Sequence, residues 1–310
     1  MNILTVERGG TTSKFAIVNN NGKIIKKYDP IKSQLGHDLK WLFDYIKTIK
    51  EDYAKISICV PGFYNPVKKM IIVAGNLQYY NFKILEECQK YTNKKIIILN
   101  DANAAGLGEY WKLAIKNPEI KNVLLYTIGT GVGGAVILNG KLHEGSNGYA
   151  GEFGHGGNFQ NDVSCTCGIN NCLEPKSSAF AIIKLINHYA QSNLSTILNQ
   201  RLTQKKQALE FVDVIDLIQN NDYTIINLIK ESLKPLIEHI SIMIYAFNPD
   251  VIIIGGGFSS FGIHTETLIK NELSKIVAPF LLENLEVKNA ENGNDAAFLG
   301  CAYQGFINEA

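Results

Sequence analysis

The chain has 310 residues, 46% of them hydrophobic and 19% charged, which is enough apolar length for two domains with their own cores and excludes disorder as the main state. Thirty Lys plus Arg oppose 29 Asp plus Glu, a formal net charge of +1, so no global field steers the chain onto nucleic acid or an anionic membrane. The longest apolar runs, such as Val251–Ile254 and Ile96–Leu99, fall far short of the roughly 20 residues that span a bilayer, and the opening residues lack a basic region followed by an apolar stretch. The expected setting is the cytoplasm, with neither membrane nor nucleic acid as partner.

In chain order, strand patterns occur at 3–6, 14–18 and 23–28, separated by Gly-rich or Asn-Gly turns, a meander and not an opening βαβ unit. Leu35, Leu39, Leu42, Phe43, Ile46 and Ile49 recur at helical spacing. A strand at 56–60, a helix near 82–92, a strand at 95–99 and a helix from Asp101 follow, and then strands at 123–128 and 133–138 flank Gly129-Thr130-Gly131. From 143 to 175 the sequence is rich in glycine and carries three cysteines; an unsupported loop of that length is uncommon, so a metal or a function is expected to hold it. Helices dominate to about 247, the longest predicted over 222–247 with Pro235 as a candidate kink. A buried strand, 251–254, then runs into Gly255-Gly256-Gly257, and 296–307 reads as a final helix.

Five constellations carry chemistry. Gly9-Gly10-Thr11 and Gly129-Thr130-Gly131-Val132-Gly133-Gly134 both suit strand–turn–strand phosphate cradles, since glycines admit an anion close to consecutive N–H groups; a hairpin requires glycine in any case, and the Lys-bearing P-loop pattern is missing. Gly255–Gly257 suits close approach to a base or ribose. Asp101, at a strand end opening a helix, is either an N-cap or the general base that phosphoryl transfer to an alcohol needs. His155 with Cys165, Cys167 and Cys172 forms a Cys₃His set, the donor complement of a closed structural zinc site. Glu152, His155 and Glu174 beside it either accept hydrogen bonds from a sugar or lie on a solvated surface. Cys59, Cys88 and Cys301 sit in apolar segments and read as core residues.

The ordered set, Gly-Gly-Thr near the N-terminus, Asn-Asp-Ala-Asn at 100–103, Gly-Thr-Gly-Val-Gly-Gly, Gly-Glu-Phe-Gly-His at 151–155, Cys-x-Cys-Gly-x4-Cys-Leu-Glu at 165–174 and Gly-Gly-Gly at 255–257, resembles the ROK family of bacterial sugar kinases and repressors along essentially the whole chain. The resemblance implies an α/β, actin-like (ribonuclease-H-like) ATPase fold of two lobes with ATP and sugar in the cleft between them. It implies an N-terminal lobe over 1–115, a C-terminal lobe over 116–295 carrying the zinc loop, and a helix at about 296–310 returning to the N-terminal lobe. By position, Asp101 is the base; Asn76, Asn100, Glu152, His155 and Glu174 are sugar ligands; Glu7, Gly9, Gly10, Thr11, Gly129, Thr130 and Gly131 hold magnesium and phosphates; and Gly255, Gly256 and Gly257 lie on the adenosine side. ATP, Mg²⁺, structural Zn²⁺ and a homodimer are implied with them, and the stretch from Gly108 to His155 looks most like the glucokinase branch.

Two departures are specific to this chain. Glu7 stands where the family has Asp, followed by Arg8 in place of a small or apolar residue, and Gly75-Asn76-Leu77-Gln78-Tyr79-Tyr80 lacks the family's Pro before Asn and Gly-Trp after it. The expected activity is ATP-dependent phosphorylation of a hexose 6-hydroxyl, glucose first, with N-acetylmannosamine and N-acetylglucosamine as alternatives and a catalytically impaired sugar-binding protein as a further one. The repressor branch carries a helix-turn-helix ahead of its kinase-like body; a first strand at about residue 3 leaves no room for it, so that branch is not expected.

Overall fold

A computed structural model describes residues 1–159, 164–165, 167–192, 194–258 and 265–307. In chain order the strands are β1 (Asn2–Arg8), β2 (Thr12–Asn19), β3 (Ile24–Lys32), β4 (Lys55–Val60), β5 (Phe63–Asn65), β6 (Met70–Ala74), β7 (Tyr79–Phe82), β8 (Lys95–Asn100), β9 (Val123–Ile128), β10 (Val132–Leu138), β11 (Lys141–Leu142), β12 (Val251–Gly255) and β13 (Glu286–Asn289).

Two five-stranded sheets repeat one plan, β3-β2-β1-β4-β8 and β11-β10-β9-β12-β13. In the first, β1 pairs antiparallel with β2 and parallel with β4, which pairs parallel with β8. The second matches it where the register is defined, antiparallel for β10 with β11 and parallel for β12 with β13. Contacts group the chain into two units, Met1–Val123 with Ala135–Gly151 and Glu291–Ala310, and Leu124–Gly134 with Glu152–Ala290.

The period of two along β1 and β2 builds a core on each face of the first sheet. Leu4, Val6, Phe15 and Ile17 point into a cluster with Leu42, Phe43 and Ile46 of the helix Lys40–Ile46. Ile3, Ala16 and Val18 point the other way, onto Trp111 and onto Phe298, Leu299 and Ala302 of the helix Ala296–Ile307. That last helix meets the helix Asp101–Lys116 at glycine: a Cβ on Gly300 would overlap the Ala104 carbonyl, and one on Gly108 the Ala296 carbonyl. Buried Lys55 donates to the Gly305 carbonyl at 2.8 Å, and the Glu109 carboxylate accepts from the backbone N–H groups of Glu291 and Asn292 at 3.0 and 2.9 Å.

Most predicted elements are found, with shifted ends. The helix expected around 35–50 is confined to Lys40–Ile46. The segment read as a loop before residue 82 holds the small antiparallel sheet β5-β6-β7, and the 3₁₀ turn Gly75–Leu77 carries Asn76 between two of its strands. Pro235 lies inside one continuous helix, Tyr223–Phe247.

Candidate active site

In the first unit the Gly9-Gly10-Thr11 turn joins β1 to β2, and its Gly9 N–H closes on the Thr12 carbonyl at 3.1 Å. A Cβ on Gly10 would stand 2.9 Å from the Asn76 carbonyl oxygen, so glycine lets the phosphate turn abut the loop proposed to face the sugar. The turn is braced from behind. Ser33 Oγ donates to the Gly9 carbonyl at 2.7 Å, and Arg8 Nη1 donates to the same oxygen at 2.6 Å while Nη2 reaches the Gln34 carbonyl. The Arg8 guanidinium is 1% exposed and lies 5.0 Å from the Trp41 ring centroid, a buried cation held by carbonyl dipoles and aromatic faces. Glu7 stands opposite Lys14 in the β1–β2 register, with Lys14 Nζ 3.1 Å from both carboxylate oxygens.

At the end of β8 the capping role falls on Asn100, not on Asp101. Asn100 Oδ1 accepts from Ala102 N and Asn103 N at 2.8 and 3.0 Å, and its Nδ2 donates to the Gly62 carbonyl at 3.1 Å. Asp101 is therefore the first helical residue, its Oδ1 accepting its neighbour's N–H at 2.9 Å, in the positive field of the helix start. Its carboxyl is open to solvent, yet desolvation by the surrounding protein, outweighing the backbone hydrogen bonds and aided by the Glu7 charge, raises its pKa to about 6. A carboxylate that is both reachable and basic near neutrality is what a general base requires. Asn76 is exposed on its turn, between buried Ala74 and Leu77.

In the second unit the Gly129-Thr130-Gly131 turn closes through the Gly129 N–H to the Gly131 carbonyl at 2.9 Å, and the Ala179 N–H holds the Gly129 carbonyl at 2.9 Å. A Cβ on Gly129 or Gly257 would meet nothing within 4 Å; these are open positions where a ligand can approach the backbone. Gly256, at φ +84°, presses on the Ile128 backbone at 2.5 to 2.7 Å from where its Cβ would stand, so the turn after β12 is seated on the end of β9.

His155, Cys165, Cys167 and Cys172 offer donor atoms all within 4.8 Å of one another. The Cys167 and Cys172 sulfurs are 3.6 Å apart, and Cys165 Sγ is 3.4 Å from His155 Nδ1; metal bonds of the usual zinc lengths in a tetrahedron put such edges at roughly 3.6–3.8 Å. The donor set fits a closed zinc centre. His155 Nε2 then faces away from Cys165, 4.0 Å from a Glu152 carboxylate oxygen. Desolvation pushes the Cys165 thiol up to about 12, and a bound cation is what would let it ionise.

Glu174 Oε2 accepts from Val132 N at 3.0 Å. Sequence reading also misses an aromatic support under this segment: Phe153 stacks on Tyr126 with ring centroids 4.6 Å apart, and Tyr126 Oη lies 3.1 Å from His239 Nδ1. Burial lowers the His239 pKa, so the imidazole is neutral. Only the isolated His in a long apolar helix could have signalled it.

The actin-like fold, a glycine-bearing strand–turn–strand in each unit and a basic carboxylate at a helix start suit a phosphotransferase, and the comparisons give that class. The ROK family profile matches residues 3–304. The chain is 32% identical to a glucokinase of Halalkalibacterium halodurans over 95% of this chain and 92% of that one, and 30% identical to an N-acetylmannosamine kinase of Vibrio cholerae over 98% and 99%. A ROK family glucokinase from Streptomyces griseus, solved with glucose and AMPPNP, superposes with a TM-score of 0.78 at 22% identity, covering 98% of this chain and 99% of that one. The chain belongs to the ROK family.

Proposed function

We propose that this ROK sugar kinase transfers the γ-phosphoryl group of ATP to the 6-hydroxyl of a hexose, glucose first, with Asp101 as base. The observation that carries the reading is Asp101 itself, released from capping by Asn100 and held at a pKa of about 6. Asp101 takes the hydroxyl proton as the oxygen attacks the γ-phosphorus in line, the bond to the bridging oxygen breaks, and ADP leaves. The backbone N–H groups of Gly9–Thr11 and Gly129–Gly131 bind phosphate oxygens, and Gly255–Gly257 give the adenosine side close backbone approach. Magnesium would neutralise phosphate charge, and Glu7 is the carboxylate of the first turn able to hold it, since one or two carboxylates plus substrate phosphates suffice. Glu7 is partly exposed, and Lys14 must yield it.

Asn76 and Asn100 of the first unit and Glu152, His155 and Glu174 of the second are the proposed sugar-holding groups. Asn100 has one Nδ2 hydrogen left for this after its cap and its bond to Gly62. Zinc on His155 and the three cysteines keeps the loop in shape. N-acetylmannosamine or N-acetylglucosamine is the alternative substrate, supported by the Vibrio cholerae relative. Action in the cytoplasm as a homodimer rests on family resemblance. The Glu7–Lys14 pair favours a second reading, a sugar-binding protein with impaired transfer, in which Glu7→Asp restores turnover.

The test is a coupled ADP-release assay with magnesium-ATP against glucose, mannose, fructose, N-acetylglucosamine and N-acetylmannosamine, beside Asp101→Asn. Turnover on one sugar that the substitution abolishes is the expected result; sugar binding without turnover supports the second reading.

A further inference from the structure

Glu174 sits between two structures that the reaction treats as separate. On one side, its backbone N–H donates to the Gly154 carbonyl at 2.9 Å, two residues after Glu152 and one before the metal-ligating His155, and Cys172 lies two residues upstream. On the other, its Oε2 accepts the N–H of Val132, the first residue beyond the Gly129-Thr130-Gly131 turn, at 3.0 Å. A side chain on Gly131 would overlap that same carboxylate, and one on Gly154 would overlap the Val132 carbonyl. Both glycines are thus sites where the cysteine loop and the phosphate turn touch. Oε1 is 3.9 Å from Cys165 Sγ, so the carboxylate also borders a metal donor.

We infer that Glu174 is a positioning residue that couples the Cys₃His loop to the phosphate turn, so that zinc occupancy sets the affinity for nucleoside triphosphate as well as the shape of the sugar site. The inference rests on reading Gly129–Gly131 as the phosphate turn of a sugar kinase. Its physical basis is direct. The turn binds phosphate through backbone N–H groups whose directions must be fixed, and the carboxylate fixing its far end is itself held by a loop whose anchor is the metal. Loss of the metal releases His155 and Cys172, and with them the Gly154–Glu174 pairing, so that Oε2 leaves Val132.

The test is calorimetric titration of the full-length protein with a non-hydrolysable ATP analogue and Mg²⁺, without turnover. Zinc-loaded and zinc-stripped forms are compared for the wild type, Glu174→Gln and Glu174→Ala. Stripping the wild type is expected to weaken the analogue by about tenfold, the scale of one charge-assisted hydrogen bond. Glu174→Ala with zinc bound should match the stripped wild type and lose nothing further when stripped. Glu174→Gln, which retains an acceptor for Val132 N–H, should bind within about threefold of the loaded wild type. If stripping unfolds the protein, the Gln and Ala variants with zinc bound decide the matter alone. Unchanged affinity in loaded Glu174→Ala overturns the coupling and leaves the kinase reading intact, whereas failure of the loaded wild type to bind any analogue overturns both.

Discussion

Asp101 keeps its proton up to about pH 6, and the role of base proposed for it needs it ionised. The ratio kcat/KM should therefore be flat above that pH and fall about tenfold per unit below it, a profile that sugar-dependent ADP release measures directly. Asp101→Asn should lower kcat by about 10²- to 10⁴-fold. Its effect on stability has the opposite sign. The unfolded carboxyl ionises near about 3.9 and the folded one near 6, so the wild type loses stability as pH rises between them and stays at the lower level above. The Asn variant should accordingly melt no lower than the wild type at pH 7.5, with the two converging at acid pH; solvent access to the carboxyl keeps the difference small. At Glu7 the competitor is Lys14, 3.1 Å away and about a third exposed. Lys14→Met should reduce the Mg²⁺ concentration for half-maximal rate while changing stability by less than about 1 kcal/mol, as a magnesium titration and a melt would register.

Among the elements, the β1–β2 turn depends on Arg8 in a way that its phosphate role does not demand. One guanidinium holds the Gly9 and Gln34 carbonyls, and the Gly36 N–H reaches the Leu77 carbonyl at 3.1 Å, so the turn, the 33–36 segment and the Asn76 loop form one brace. Arg8→Met keeps much of the volume but leaves carbonyls without a donor, and should cost about 2–3 kcal/mol in denaturant unfolding. The helix Tyr223–Phe247 contributes His239, whose folded pKa lies below the unfolded 6.5. Below that pH the unfolded chain binds a proton that the fold refuses, so stability is full above about 6.5 and declines as pH falls toward the folded value. His239→Gln, which can still hydrogen-bond Tyr126, should lack that acidic decline in unfolding titrations.

At the scale of the whole molecule, the central strands were legible as short unbroken apolar runs, which bury on both faces: Phe15–Val18 and Val251–Ile254 are buried throughout. The small sheet β5-β6-β7 was not legible, because its strands are three to five residues long, two of them containing Asn, too short for a period to register. The site divides the same way. Glycine turns and the Cys₃His set announce themselves by composition, whereas Tyr126 and His239 are far apart in sequence and meet only in the fold. The final helix was visible from its small residues, but the reason for them was not: Gly300 and Gly108 let two helix backbones touch. Gly300→Ala should therefore destabilise the protein by at least about 3 kcal/mol, well beyond what Gly→Ala in an open helix would do, as denaturant unfolding would show.

That last contact also sets an order of events during synthesis. The first unit contains the earliest residues of the chain, yet one face of its sheet, Ile3, Ala16 and Val18, is only part-covered, by Trp111, until Phe298, Leu299 and Ala302 have been made. The segment Glu152–Ala290 lies in the other unit and is translated before that cover exists. The nascent amino-terminal segment thus waits with an apolar sheet face only partly covered while the ribosome completes everything downstream, and it is there that a holding chaperone would find its surface.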